Sequence, residues 1–138
     1  MLEEIEMGLH PRAISVVLLM VLELIARGYR VCVSTHSPQV LEAVWAIRQL
    51  QASADPRPRD LLSLFGAPAK PAMLRVAEKT LQKDLRVYYF DRETGKTADI
   101  SSLDPDSPNL LEAAWGGLSE FSQRANVAVA EATARGSR

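Results

Sequence analysis

Two rhythms of apolar residues alternate over the first forty positions. Short apolar pieces break abruptly into polar chemistry at Met1-Leu2, followed by Glu3-Glu4-Ile5-Glu6, and at Val31-Cys32-Val33, followed by Ser34-Thr35-His36-Ser37-Pro38. Each reads as the end of a buried strand, the second running from Arg30 to Ser34. Between them Pro11 can open a helix and Gly28 can stop it, which predicts a helix over residues 11–27. Its polar residues Arg12, Ser15, Glu23 and Arg27 share one narrow stripe, while Ile14, Val17, Leu18, Val21, Leu22 and Ile25 are among those covering the rest. Such a helix expects cover on most sides, some of it from outside one short β-α-β unit. A single helical crossover between parallel strands puts both strand ends on one edge, where open α/β sheets bind ligands.

Further along, Ser37 and Pro38 start a second helix to about Gln51, with Val40, Leu41, Val44 and Trp45 on one face. Residues 52–60 hold two prolines among polar residues and read as a loop or mobile lid. A short apolar turn of helix from Leu61 to Phe65 follows, ended by Gly66 and Pro68, then a helix from Pro71 to Lys83 that puts Arg75, Lys79 and Lys83 on one line. Leu85 to Phe90 and Thr97 to Leu103 read as a β-hairpin around Gly95. A last helix starts at Ser107-Pro108, with Leu111, Ala114, Trp115, Leu118 and Phe121 as its buried face, and its alanine-rich end through Arg138 is expected to fray. There is no internal repeat.

Composition narrows the class without naming it. With 138 residues, 47% apolar and 24% charged, the chain suits one modest globular domain. A net charge of −1 supplies no basic field for nucleic acid, so any such role would be local. Cys32 is the only cysteine, which excludes an internal disulfide and fits a reducing cytosol; its strand position reads as a small buried hydrophobe. The longest apolar run, Val16 to Leu22, falls short of the roughly 20 residues that span a bilayer, and the acidic start is unlike a signal peptide. The expectation is a cytoplasmic protein with no membrane partner.

The order Glu3-Glu4-x-Glu6-x-Gly8-Leu9-His10-Pro11, an apolar helix, then Ser34-Thr35-His36-Ser37-Pro38 resembles the nucleotide-binding head of ABC-type P-loop ATPases, nearest the RecF, SMC and OLD-like (AAA-type ATP-binding) branch. The resemblance covers residues 1 to about 40. It implies Glu3 as the Walker B acid that holds magnesium, Glu4 as the catalytic carboxylate, Gly8, Leu9 and His10 as the D-loop facing nucleotide, and His36 as the switch histidine. ATP and Mg²⁺ are the implied substrate and cofactor, and a homodimer of heads the implied assembly. Two features depart from the pattern: Ile5 stands where the family usually has proline, and no G-x-x-x-x-G-K-[ST] phosphate loop occurs. The family's signature loop is missing as well, so the chain reads as the back portion of an ATPase, inactive without an upstream segment or partner chain carrying the phosphate loop.

Phosphoryl transfer to water needs a metal on the phosphate oxygens, a base for the water and a group that follows the γ-phosphate, roles that Glu3, Glu4 and His36 can fill. The bland alternative is an acidic, solvated lead-in to a helix whose first turn is electropositive. A metal-hydrolase reading is weaker, because His10 and His36 lack zinc-helix spacing and no third ligand stands at a recognisable interval. His10 reads either as a helix-start residue or as a contact across a dimer. Arg75, Lys79 and Lys83 are by default a solvated face, with a phosphate-contacting role on nucleic acid as the sharper option. Trp45 and Trp115 read as core residues.

The expected fold is α/β: a partial parallel P-loop NTPase sheet with flanking helices, plus a C-terminal helix and β-hairpin region. Residues 1–52 would carry Walker B, D-loop and switch histidine, residues 53–83 a loop and helical insertion, and residues 84–138 the hairpin and closing helix of the same domain. A non-catalytic interaction or regulatory domain descended from such a head is the alternative function.

Overall fold

A computed structural model describes residues 1–136 of the chain. It is mixed α/β and dominated by six helices, with one parallel and one antiparallel pair of short strands. The chain divides into two compact units at Leu85.

In the first unit, β1 (Leu2–Glu3) lies parallel to β2 (Val33–Ser34), with Leu2 opposite Val33 and Glu3 opposite Ser34. Leu2 N–H donates to Cys32 O over 2.8 Å and Glu4 N–H to Ser34 O over 2.9 Å, so the ladder runs one residue past β1 on its Glu4 side. The crossover is α1 (Pro11–Ala26), opened by Pro11 and followed by Arg27 and Gly28 in the manner the sequence predicts. Among the described residues the parallel part consists of this one pair.

The core is supplied by helices. α2 (Pro38–Ala52), α3 (Pro58–Leu64) and α4 (Pro71–Thr80) pack with α1, and Leu22, Ile47, Leu61, Leu62 and Ala77 form one buried cluster. A second cluster joins Ile14 and Leu18 of α1 to Val40 and Ala43 of α2, with Ile5 packed against it. Leu61, Leu62 and Thr80 are the largest side chains fully buried in this unit, so residues 58–80 contribute to its interior and the loop expected at residues 52–60 is confined to residues 53–57. Thr80 satisfies its hydroxyl by donating to Val76 O one turn back. From α2, Arg48 Nη1 donates to Leu85 O, and Gln51 Nε2 to Thr80 O and Lys83 O, tying down the carbonyls that follow α4.

Three local expectations are corrected. Helix α4 ends at Thr80, so Lys83 lies beyond it and the basic line on that helix reduces to Arg75 and Lys79, both exposed. Cys32, which precedes β2, is exposed. Ser37 does precede α2, but its side chain makes no capping bond.

The second unit begins with the hairpin, β3 (Tyr88–Phe90) antiparallel to β4 (Thr97–Asp99). Asp91 shapes its turn: Oδ1 accepts from Glu93 N–H and Thr94 N–H, and these bonds, with one from the Thr94 side chain, hold its pKa below the usual aspartate value. The single last helix expected from Ser107 is two, α5 (Leu110–Ala113) and α6 (Glu120–Gly136), separated by Gly116 and Gly117 at positive φ. A Cβ on Gly116 would stand 2.7 Å from Tyr89 Cδ2, so glycine is required for both its backbone and this close approach. Trp115 is half-buried, its indole donating to Leu103 O over 2.9 Å. Phe121 is exposed, against expectation, and the alanine-rich segment continues as helix to Gly136; the last two residues of the fraying expectation lie outside those described.

Candidate active site at the ends of the parallel strands

Each strand of the β1–β2 pair ends in a polar turn, and the parallel register brings the two turns together. After Glu3 the chain leaves β1 at Glu4, whose φ of 44° is in the left-handed region. That conformation disfavours residues with a Cβ, and such outliers gather at functional sites. Hydrogen bonds from Met7 N–H to Glu4 O and from Leu9 N–H to Glu6 O continue the turn, with Gly8 at φ 72°, and Ile5 pins it to the helical core. His10 then caps α1, its Nδ1 accepting from Arg12 N–H over 3.2 Å. This is the helix-start role, and it leaves Nε2 free of that bond.

After β2 the chain passes through Thr35 to His36. His36 Nε2 stands 3.6 Å from Glu4 Oε1, too far for a hydrogen bond but close enough for attraction when the imidazole is protonated. The imidazole is 83% exposed and the Glu4 side chain 41%, so an incoming ligand reaches both. Glu3 is exposed on β1. Of the residues singled out in the sequence, Glu3, Glu4 and His36 therefore share one sheet edge. Gly8 and Leu9 are exposed in the turn leading to α1, and Arg75 and Lys79 belong to α4.

Glu6 has a larger place here than its sequence position indicated. Its Oε1 accepts from the Thr35 hydroxyl at 2.6 Å and from His36 N–H at 2.9 Å, while its Oε2 is buried without a hydrogen-bond partner. Burial acts to raise its pKa, but the bonds from Thr35 and the His36 N–H, with the nearby imidazole, outweigh it and hold Glu6 below the ordinary glutamate value. Thr35 Oγ1 in turn accepts from Ser37 N–H over 3.0 Å, so one hydroxyl links Glu6 to the start of α2. The available signal was a threonine and a carboxylate each placed just past a strand end; periodicity cannot pair residues 29 apart.

Among the described residues no group of three or more His, Cys, Asp or Glu side chains is arranged to hold a metal ion. Exposed carboxylates at a strand end are the donor type magnesium takes, since magnesium keeps several waters and binds through one or two carboxylates plus substrate phosphates.

Comparisons with family models, with curated proteins and with solved structures give no match for this chain. No described helix is long and apolar enough to cross a membrane.

Proposed function

We propose that the chain is the C-terminal part of an ABC-type, AAA-like ATP-hydrolysing head. The observation that carries the reading is the pair Glu4 and His36: a carboxylate in a strained turn and an exposed imidazole, 3.6 Å apart at adjacent ends of parallel strands. In this reading Glu4 accepts the proton of the water that attacks the γ-phosphate, and its exposure leaves room for that water. His36 donates a hydrogen bond to the γ-phosphate as the bond breaks and senses its departure. Glu3 would hold magnesium, which neutralises charge on the phosphate oxygens when bound. Gly8, Leu9 and His10, in the exposed turn, would face nucleotide across a dimer of heads. The phosphate cradle would come from an upstream segment or a partner chain, and the cell compartment would be the cytoplasm.

A second reading, a non-catalytic interaction domain descended from such a head, is favoured by one observation. Val16, Met20 and Leu24 repeat at one-turn spacing on α1 and are exposed at 57%, 61% and 38%. An interaction domain would use that stripe and leave Glu4 and His36 without a reaction. The test joins the chain to a segment carrying a phosphate loop and follows ATP turnover. Glu4→Gln should retain nucleotide binding and stop hydrolysis, and His36→Ala should slow turnover with nucleotide affinity little changed. Hydrolysis by Glu4→Gln at the unmutated rate would refute the catalytic assignment.

A further inference from the structure

Glu4 and His36 belong to turns separated by the whole of α1, and two 2-residue strands are a slender means of holding them in register. What spans the gap directly is Glu6. It leaves the β1 turn and receives both the hydroxyl of Thr35 and the main-chain N–H of His36 on one oxygen, at 2.6 and 2.9 Å. The second bond is made to the very residue whose ring lies beside Glu4. The imidazole itself is in solvent, so the backbone that this bond holds sets where the ring is carried relative to Glu4. Bonds to a carboxylate are also about twice as strong as those between neutral partners, which suits a group that must hold a loop rather than react.

We infer that Glu6 is the positioning residue of this site: its carboxylate fixes the His36 backbone and thereby keeps the imidazole next to Glu4. The inference rests on the reading of Glu4 and His36 as the reacting pair and adds to it a residue with no contact to substrate. Glu6 is suited to that role and not to catalysis, since one oxygen is taken by two donors and the other is buried. Burial of Oε2 carries a desolvation cost that a residue serving only as a solvated charge would not bear.

The test needs no nucleotide. In the full 138-residue chain, NMR follows two signals: hydrogen exchange of the His36 amide, and the response of the His36 ring resonances to Glu4→Gln. With Glu6 present, the amide is protected and the ring responds to loss of the Glu4 charge. Glu6→Ala should speed exchange of the His36 amide about tenfold or more and abolish the ring response, while the Glu4 amide, bonded to Ser34 O, stays protected as proof that the strands still pair. Glu6→Gln keeps an oxygen in the accepting position and should restore both signals. Should Glu6→Ala fail to fold, Thr35→Val removes one of the two donors and should weaken the ring response in the folded chain. A ring response to Glu4→Gln that is the same with and without Glu6 overturns the positioning role, whatever the ATPase assay gives. Absence of turnover in the completed ATPase, with the ring response as expected, overturns the ATPase reading and leaves Glu6 as the residue that holds His36.

Discussion

The Thr35 hydroxyl donates to Glu6 Oε1 over 2.6 Å, closing a link between two turns 29 residues apart. Thr35→Val keeps the shape of the side chain and deletes the donor, and it also deprives Ser37 N–H of its acceptor. A loss of about 1–3 kcal/mol is expected, the usual consequence of leaving a partly buried polar group short of a partner. Urea denaturation measures it as a lower midpoint at unchanged slope.

Because Glu6 titrates below the ordinary glutamate value in the folded chain, its carboxylate contributes stability above the pKa it has when unfolded. That contribution is lost as pH falls through the depressed folded value. Glu6→Gln, which does not ionise, should therefore differ from the unmutated chain at neutral pH and converge with it in acid. Thermal melts between neutral pH and the acid limb would show this; a difference that grows on acidification would contradict it.

Glu4 occupies a backbone conformation suited to glycine, at φ 44°. Glu4→Gly should relieve that strain and leave stability equal or higher by up to about 1 kcal/mol, even though the change removes the proposed base. A gain in Tm alongside loss of hydrolysis in the completed ATPase would mark strain retained for chemistry. A clear loss of stability would instead mean that the Glu4 side chain supports the fold.

Leu61, at 0% exposure, sits in the cluster that joins α1, α2, α3 and α4. Leu61→Ala should cost about 2–5 kcal/mol, in the range of large-to-small changes in closed cores. Were residues 58–80 a peripheral insertion, the same change would cost a fraction of that, so the midpoint of chemical denaturation separates the two.

How far the chain could be read in advance depended on whether the governing signal was local. Helices α1 and α2 were readable because Pro11 and Pro38 mark first helical positions and apolar periodicity runs on from each. The same proline signal stands at Pro58, yet the flanking Pro56, Arg57 and Arg59 read as a polar break, which hides the first turn of the helix whose later residues Leu61 to Leu64 are legible as helical. The strand ends carrying Glu3, Glu4 and His36 were visible as abrupt changes from apolar to polar residues. The hydrogen bonds of Glu6 were not, since nothing between residues 6 and 35 encodes that meeting except the fold itself. Cys32 and Phe121 failed for a related reason, as an apolar residue is buried only if some other element arrives to cover it.

Met20 stands midway between Val16 and Leu24 in the exposed stripe of α1, at 61% exposure, while Leu18, Val21 and Leu22 face the core. Its thioether is thus the most oxidisable group of that stripe, on a residue that lies mostly in solvent. Conversion to the sulfoxide would place a polar, chiral oxygen in the middle of the apolar stripe and leave the helical core intact. Peroxide treatment would therefore change how this surface meets hydrophobic probes without unfolding the chain, and reductase repair would reverse it.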